Sequence, residues 1–111
     1  MLTLKDPSLL KQRCYLNGQW LAADGGAEID VTNPATGQKL GTIPRMGTVE
    51  TRRAIEAANL ALPAWRARTA KERSAILRRW FELMMANQED LAIIMTAEQG
   101  KPLAESKGEI S

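Results

Sequence analysis

From Cys14 to Leu21 the chain reads Cys-Tyr-Leu-Asn-Gly-Gln-Trp-Leu, two short apolar and aromatic arms on either side of Asn17-Gly18. Asparagine and glycine accept the positive φ angles of a tight turn, so the pattern predicts a β-hairpin. Asp24-Gly25-Gly26 breaks the chain, and Ile29-Asp30-Val31-Thr32 then alternates apolar and polar side chains as a half-buried strand does. Asn33-Pro34-Ala35-Thr36-Gly37 supplies a turn, with Pro34 fixing φ and Gly37 free to take a left-handed conformation. Lys39-Leu40-Gly41-Thr42-Ile43 returns as the partner strand, which places β-hairpins within residues 14–43.

After Pro44 the period lengthens from two to about 3.6 residues, and helices are expected over 48–111. Thr48 is positioned to cap the first, Glu50 favours its positive end, and Ile55, Ala58, Leu62 and Trp65 share one face. Pro63 is expected to end or bend it near its last turn. Thr69-Ala70-Lys71-Glu72 has the form of a capping box. Behind it Ile76, Leu77, Trp80, Phe81 and Met84 form a broad apolar stripe that should put Trp80 against the core. A third helix starts at Asn87, carries Glu89 and Asp90 in its first turn, buries Leu91, Ile94 and Met95, and stops at Gly100. Pro102 suits the first position of a fourth, which shows apolar Leu103 and Ile110 and no stop signal, so Ser111 is expected to be a truncation point. The elements add up to an α+β piece, two N-terminal β-hairpins followed by about four helices.

Length and composition narrow the class. A chain of 111 residues is one domain or part of one. With 44% hydrophobic and 25% charged residues it has the balance of a soluble globular protein rather than of a disordered one. A net charge of only +2 creates no long-range field for a polyanion. The single cysteine excludes an internal disulfide framework, and the absence of histidine deprives a zinc site of a usual ligand. Asp6 and Pro7 interrupt the start before any secretory apolar run develops, and no stretch reaches the roughly 20 apolar residues of a membrane span. A soluble protein in a reducing, cytoplasmic setting is expected, with no membrane partner.

Candidate chemistry is sparse. Cys14 is the one thiol nucleophile, but no histidine is there to activate it, and a small, partly buried strand residue is the simpler expectation. Gly25-Gly26 lacks the strand-to-helix context of a pyrophosphate cradle, so no nucleotide is placed on it. Arg66, Arg68, Lys71, Arg73, Arg78 and Arg79, with Trp65 and Trp80 nearby, could suggest a nucleic-acid patch. Trp80 belongs to the apolar stripe, however, and Glu72 and Glu82 lie among the arginines, so these charges read as a solvated face and no nucleic acid is expected. Met84 and Met95 fall on core positions, leaving Met85 for a contact surface.

Taken in order, these pieces resemble the amino-terminal part of the aldehyde dehydrogenase superfamily, essentially end to end. The resemblance is carried by Tyr15-Leu16-Asn17-Gly18-Gln19-Trp20, by Val31-Thr32-Asn33-Pro34-Ala35-Thr36-Gly37, by Ala57-Ala58 with Pro63-Ala64-Trp65, by Glu72-Arg73, and by Glu98-Gln99-Gly100-Lys101-Pro102. The stretch from Met95 to Ile110, with Leu83-Met84-Met85 and Gln88-Glu89-Asp90-Leu91, looks like the succinate-semialdehyde branch in particular. A glutarate-semialdehyde enzyme would look much the same here.

The resemblance implies an α/β enzyme several times longer, in which residues 1–111 form the outer part of the cofactor-binding domain and the Rossmann-like sheet and catalytic domain come later. It implies oxidation of succinate semialdehyde with NADP or NAD, as in 4-aminobutyrate degradation, by a cytoplasmic homo-oligomer, tetramer or dimer. A cysteine thiolate attacks the aldehyde, hydride passes to the nicotinamide, and a glutamate-activated water hydrolyses the thioester. The residues for these roles are expected beyond Ser111, and Cys14 does not stand in the nucleophile motif. Relatives also build a monovalent-cation site partly from backbone carbonyls near the position of Val31-Thr32 and from an acid near the position of Glu98. Here that acid is a glutamate where aspartate is common, and a structural role at a helix end is expected for it. No catalytic, cofactor-binding or metal residue is therefore assigned within the sequence, and the 111-residue chain is expected to be inactive and to bind no cofactor alone. An alternative of another class is a small helical interaction module using an apolar helical face.

Overall fold

Asn17 and Gly18 adopt φ angles of 50° and 80°, the left-handed pair that a two-residue hairpin turn demands. In the computed structural model, which describes residues 2–111, this turn joins β1 (Cys14–Leu16) to β2 (Gln19–Leu21), with Tyr15 opposite Trp20. Their rings lie 5.1 Å apart in a tilted arrangement, and Lys11 Nζ sits 4.9 Å from the Trp20 ring centre. The second hairpin pairs β3 (Glu28–Thr32) with β4 (Lys39–Pro44), irregular in register at Val31/Thr32. Its turn is organised by Asn33, whose Oδ1 accepts from the amides of Ala35 and Thr36 at 2.9 and 3.3 Å.

Four helices follow: α1 (Thr48–Ala67), α2 (Ala70–Ala86), α3 (Gln88–Gln99) and α4 (Leu103–Ile110). Two boundaries differ from expectation. Gly47, not Thr48, is the cap of α1, and Glu50 Oε1 reaches back to accept from the Gly47 amide at 2.8 Å, the helix-side half of a capping box. Its other oxygen accepts from the Asp24 amide at 2.9 Å, tying the loop after β2 to the helix. Pro63 stands at the start of the last turn of α1, which ends at Ala67. A proline there removes only the bond to the Asn59 carbonyl, and Arg68 N closes the last turn onto Trp65 O at 3.2 Å. Pro102 stands one position before α4 rather than inside it.

The capping box of α2 forms as expected, with Glu72 N donating to Thr69 Oγ1 at 3.2 Å and Thr69 N to Glu72 Oε2 at 3.0 Å. Asn87 precedes α3, but its side chain donates back to the Leu83 carbonyl at 2.9 Å and so closes α2 instead. Gly100 ends α3 at φ 89°, and a Cβ placed on it would meet Pro34 Cγ at 2.9 Å. The hairpin turn thus packs directly on the helix end.

The tightest helix packing is between α3 and α4. Thr96 and Ser106 hydroxyls meet at 2.8 Å, Gln88 Nε2 donates to the Lys107 carbonyl at 3.0 Å, and Lys107 pairs with Glu89. Among the described residues the buried apolar side chains are Ala23, Pro44, Ala92 and Ala97. So small a core has a global signature. The radius of gyration is 16.6 Å, against about 13 Å for a compact chain of this length. The accessible surface is 8159 Å², against roughly 6,100 Å² for a compact protein of 12.2 kDa.

Surface ion pairs brace the loops. Arg53 grips Asp24 with two nitrogens at 3.1 and 2.6 Å, and this bond holds the Asp24 carboxyl below the usual carboxylate range and the Arg53 guanidinium above its own. The Ser8 hydroxyl and amide lower Asp6 in the same way, and Asp30, 2.8 Å from Lys39, raises the lysine.

Replacing Gly100 with alanine forces a left-handed alanine onto Pro34 and is expected to cost about 2 kcal/mol. Gly108→Ala, in α4 with nothing within 4 Å of the new Cβ, should be neutral or stabilising by about 0.5 kcal/mol. Equal denaturant midpoints for the two variants would contradict this packing. The ion pairs set a pH window. Asp6 and Asp24, lowered in the folded state, stabilise above the unfolded value of about 3.9, and that contribution is lost as pH falls through their folded values. Lys39, raised, stabilises below about 10.4 and loses its contribution as pH rises through the folded value. With no histidine in the chain, the thermal midpoint should stay level from about pH 5 to 9, and a step near neutrality would contradict the assignment.

Candidate functional site

Cys14 is a free, half-buried thiol at the first position of β1, opposite Leu21. No group of three or more histidine, cysteine, aspartate or glutamate side chains able to hold a metal ion occurs among the described residues. The helix N-termini, where a dinucleotide pyrophosphate would seat, carry acids of their own. Glu50 occupies the Gly47 amide at α1, Glu72 occupies the Thr69 amide at α2, Glu89 and Asp90 fill the first turn of α3, and Glu105 that of α4. Carboxylates there repel a phosphate and compete for its amides. The residues of this structure therefore do not fit the pyrophosphate of a nicotinamide cofactor.

Val31 and Glu98, which the resemblance connects with a cation, do come together. With Leu10, Gln12, Leu40 and Thr42 among their neighbours they line a pocket of about 10 Å³, space for one water-sized particle. Glu98 is exposed on the last turn of α3.

The basic cluster is split. Arg66, Arg68, Lys71, Arg78 and Arg79 are exposed as expected, and Arg78 pairs with Glu82 at 3.4 Å and lies over the Phe81 ring. Arg73 departs from the expectation. It is half-buried on the apolar side of α2, and its Nε is buried with no hydrogen-bond partner among the described residues. The spacing held this signal, since Arg73 stands three residues before Ile76 and four before Leu77, on the stripe rather than opposite it. Arg73, Arg78, Leu77 and Phe81 help line an open depression of about 540 Å³.

The broad stripe of α2 is present but uncovered. Trp80, expected against a core, is 63% exposed, and Ile76, Leu77, Phe81 and Leu83 are exposed beside it. On α1 the expected apolar face is also bare at Ile55 and Leu62, while Trp65 is half-buried. Met84, Met85 and Met95 are all half-buried, and Met85 borders the hollow between residues 5–6 and the start of α3. The most prominent feature of these residues is thus a large apolar helical surface with one poorly satisfied arginine in it. No helix among the described residues is long and apolar enough to cross a membrane.

Comparison with known proteins matches residues 20–111 to the aldehyde dehydrogenase family. The chain is 70% identical over 110 residues to a glutarate-semialdehyde dehydrogenase of Pseudomonas putida and 64% identical over 110 residues to an NADP-linked succinate-semialdehyde dehydrogenase of Escherichia coli. Each match covers 99% of this chain and 23% of the relative, so the chain spans about a quarter of the length of these enzymes. A crystal structure of an Escherichia coli NADP-dependent enzyme superposes with a TM-score of 0.95 at 65% identity, over 98% of this chain and 23% of that one. The hairpins and helices therefore recur in place within a much larger protein, and the chain belongs to the aldehyde dehydrogenase family.

Proposed function

We propose that residues 1–111 are the N-terminal part of the cofactor-binding domain of an NAD(P)-dependent dehydrogenase that oxidises succinate semialdehyde to succinate. Glutarate semialdehyde is the alternative substrate. The observation that carries this is the identity of 64–70% to enzymes named for these two compounds over nearly the whole chain. Both are short aldehydes ending in a carboxylate and differ by one methylene, a difference a pocket discriminates by only about 1–3 kcal/mol. The name of the Escherichia coli relative supports NADP as the cofactor. A cytoplasmic homo-oligomer, dimer or tetramer, serving 4-aminobutyrate degradation completes the proposal.

In this proposal the described residues touch no reacting atom. The apolar sides of α1 and α2 cover the Rossmann-like sheet, and their bareness here supports that role. Cofactor, nucleophile and base are held by the remainder of the polypeptide. The full-length protein should oxidise one of the two semialdehydes with kcat/KM at least about a hundredfold above an uncharged aldehyde of equal length, since a built carboxylate site left empty is costly. The 111-residue polypeptide should form no reduced nicotinamide above a buffer blank. Equal turnover of charged and uncharged aldehydes would reject the substrate class, and turnover by the short polypeptide would reject the division of labour.

The exposed face of α2 also favours a second reading, a helical module that binds another surface. As a piece separated from its sheet, the 111-residue polypeptide should self-associate with rising concentration in light scattering, and Trp80→Lys should reduce this several-fold. A concentration-independent monomer with Trp80 as exposed as it is here would favour a free-standing module.

A further inference from the structure

The N-terminal arm makes two polar attachments to distant parts of the fold. Asp90, in the first turn of α3, is 4% exposed, and its two oxygens accept from consecutive backbone amides of the arm, Lys5 at 2.9 Å and Asp6 at 2.8 Å. Seven residues after Lys5, Gln12 Oε1 accepts from the Thr42 amide of β4 at 2.9 Å. That bond lies on the outer edge of the hairpin. Arg45 donates to Ala27 at 2.8 Å across the β3 side, and hydrogen-bonded pairs alternate along an antiparallel ladder, so the Thr42 amide faces away from β3. Pro44, two residues on along the same edge, has no amide to offer.

Between its two ends the arm folds into a hydrogen-bonded turn. Pro7–Leu9 form a 3₁₀ turn with Asp6 as its cap, Asp6 Oδ1 accepting from the Ser8 amide at 3.0 Å and from its hydroxyl at 2.6 Å. Leu9 N and Leu10 N close the turn onto Asp6 and Pro7 carbonyls, both at 3.2 Å. Leu10 is half-buried and lines the small pocket with Val31 and Leu40. Gly41 permits the close approach, because a Cβ there would stand 2.9 Å from Gln12 Oε1.

We propose that residues 5–12 are a strap, latched by Asp90 at one end and by Thr42 at the other, that closes the free edge of β4 and couples the order of hairpin β3–β4 to the start of α3. A free strand edge is a template for pairing with another chain, and here a side-chain amide and a proline blunt it. Because the strap is braced by its own turn, opening one latch loosens the other.

Amide hydrogen exchange on the full-length protein tests this coupling. Asp90→Asn should accelerate exchange at Lys5 and Asp6 and also, by about tenfold, at Thr42, which Asp90 does not touch. Gln12→Ala, a change at an exposed side chain, should in turn accelerate Lys5 and Asp6. Should Asp90→Asn fail to fold, Gln12→Ala decides alone. Unchanged rates at the far latch in either folded variant would mean two independent contacts and would overturn the strap.

Discussion

The shortage of buried apolar side chains constrains everything else in this structure. The fully buried apolar side chains are alanines and one proline, so the larger apolar side chains contribute only through partial burial. What organisation there is comes from short-range turn chemistry, from close approach of small residues, and from carboxylates that collect backbone amides. Ser106 is fully buried yet satisfied by Thr96, and Asp90 is buried yet accepts two amides, as buried polar groups must. The large side chains that would ordinarily fill a core stand on the outside of α1 and α2.

This division explains the relation to the family. The local ties position hairpins and helices well enough to superpose at a TM-score of 0.95 on a protein over four times longer. Most of their large apolar side chains nevertheless stand exposed on the chain taken by itself. Arg73 adds an electrostatic counterpart, a buried donor with no acceptor among the described residues, which is costly.

Local structure was legible in the sequence wherever a turn or a cap depends on neighbouring residues. Asn17-Gly18, the Asn33–Gly37 turn, the Thr69–Glu72 box and the stop at Gly100 all formed where their spacing indicated. Misplaced details arose where two nearby groups could serve the same helix end. Glu50 took over at the start of α1 and Asn87 turned back to α2, each through a bond within four residues. Trp80 was correctly put on the stripe, but periodicity reports only which side is apolar and is silent on whether anything packs there. At the candidate site the same limit applies. Arg73 and Asp90 were read as a solvated charge and a helix-end charge, because the depth of a side chain is a property of the whole fold.

The bare positions of α1 divide into two ridges. Val49 and Leu60, three helical turns apart, point one way and have the charged Arg53 and Glu56 between them, whereas Ile55 and Leu62 are rotated from them by about 140°. A third side, rich in Ala54, Ala57, Ala58 and Ala61, faces the first hairpin near Tyr15 and Leu16 across a hollow of about 280 Å³. Larger side chains on the alanine side would crowd this hollow first, so the spacing between α1 and the first hairpin is set by the smallest residues of the helix.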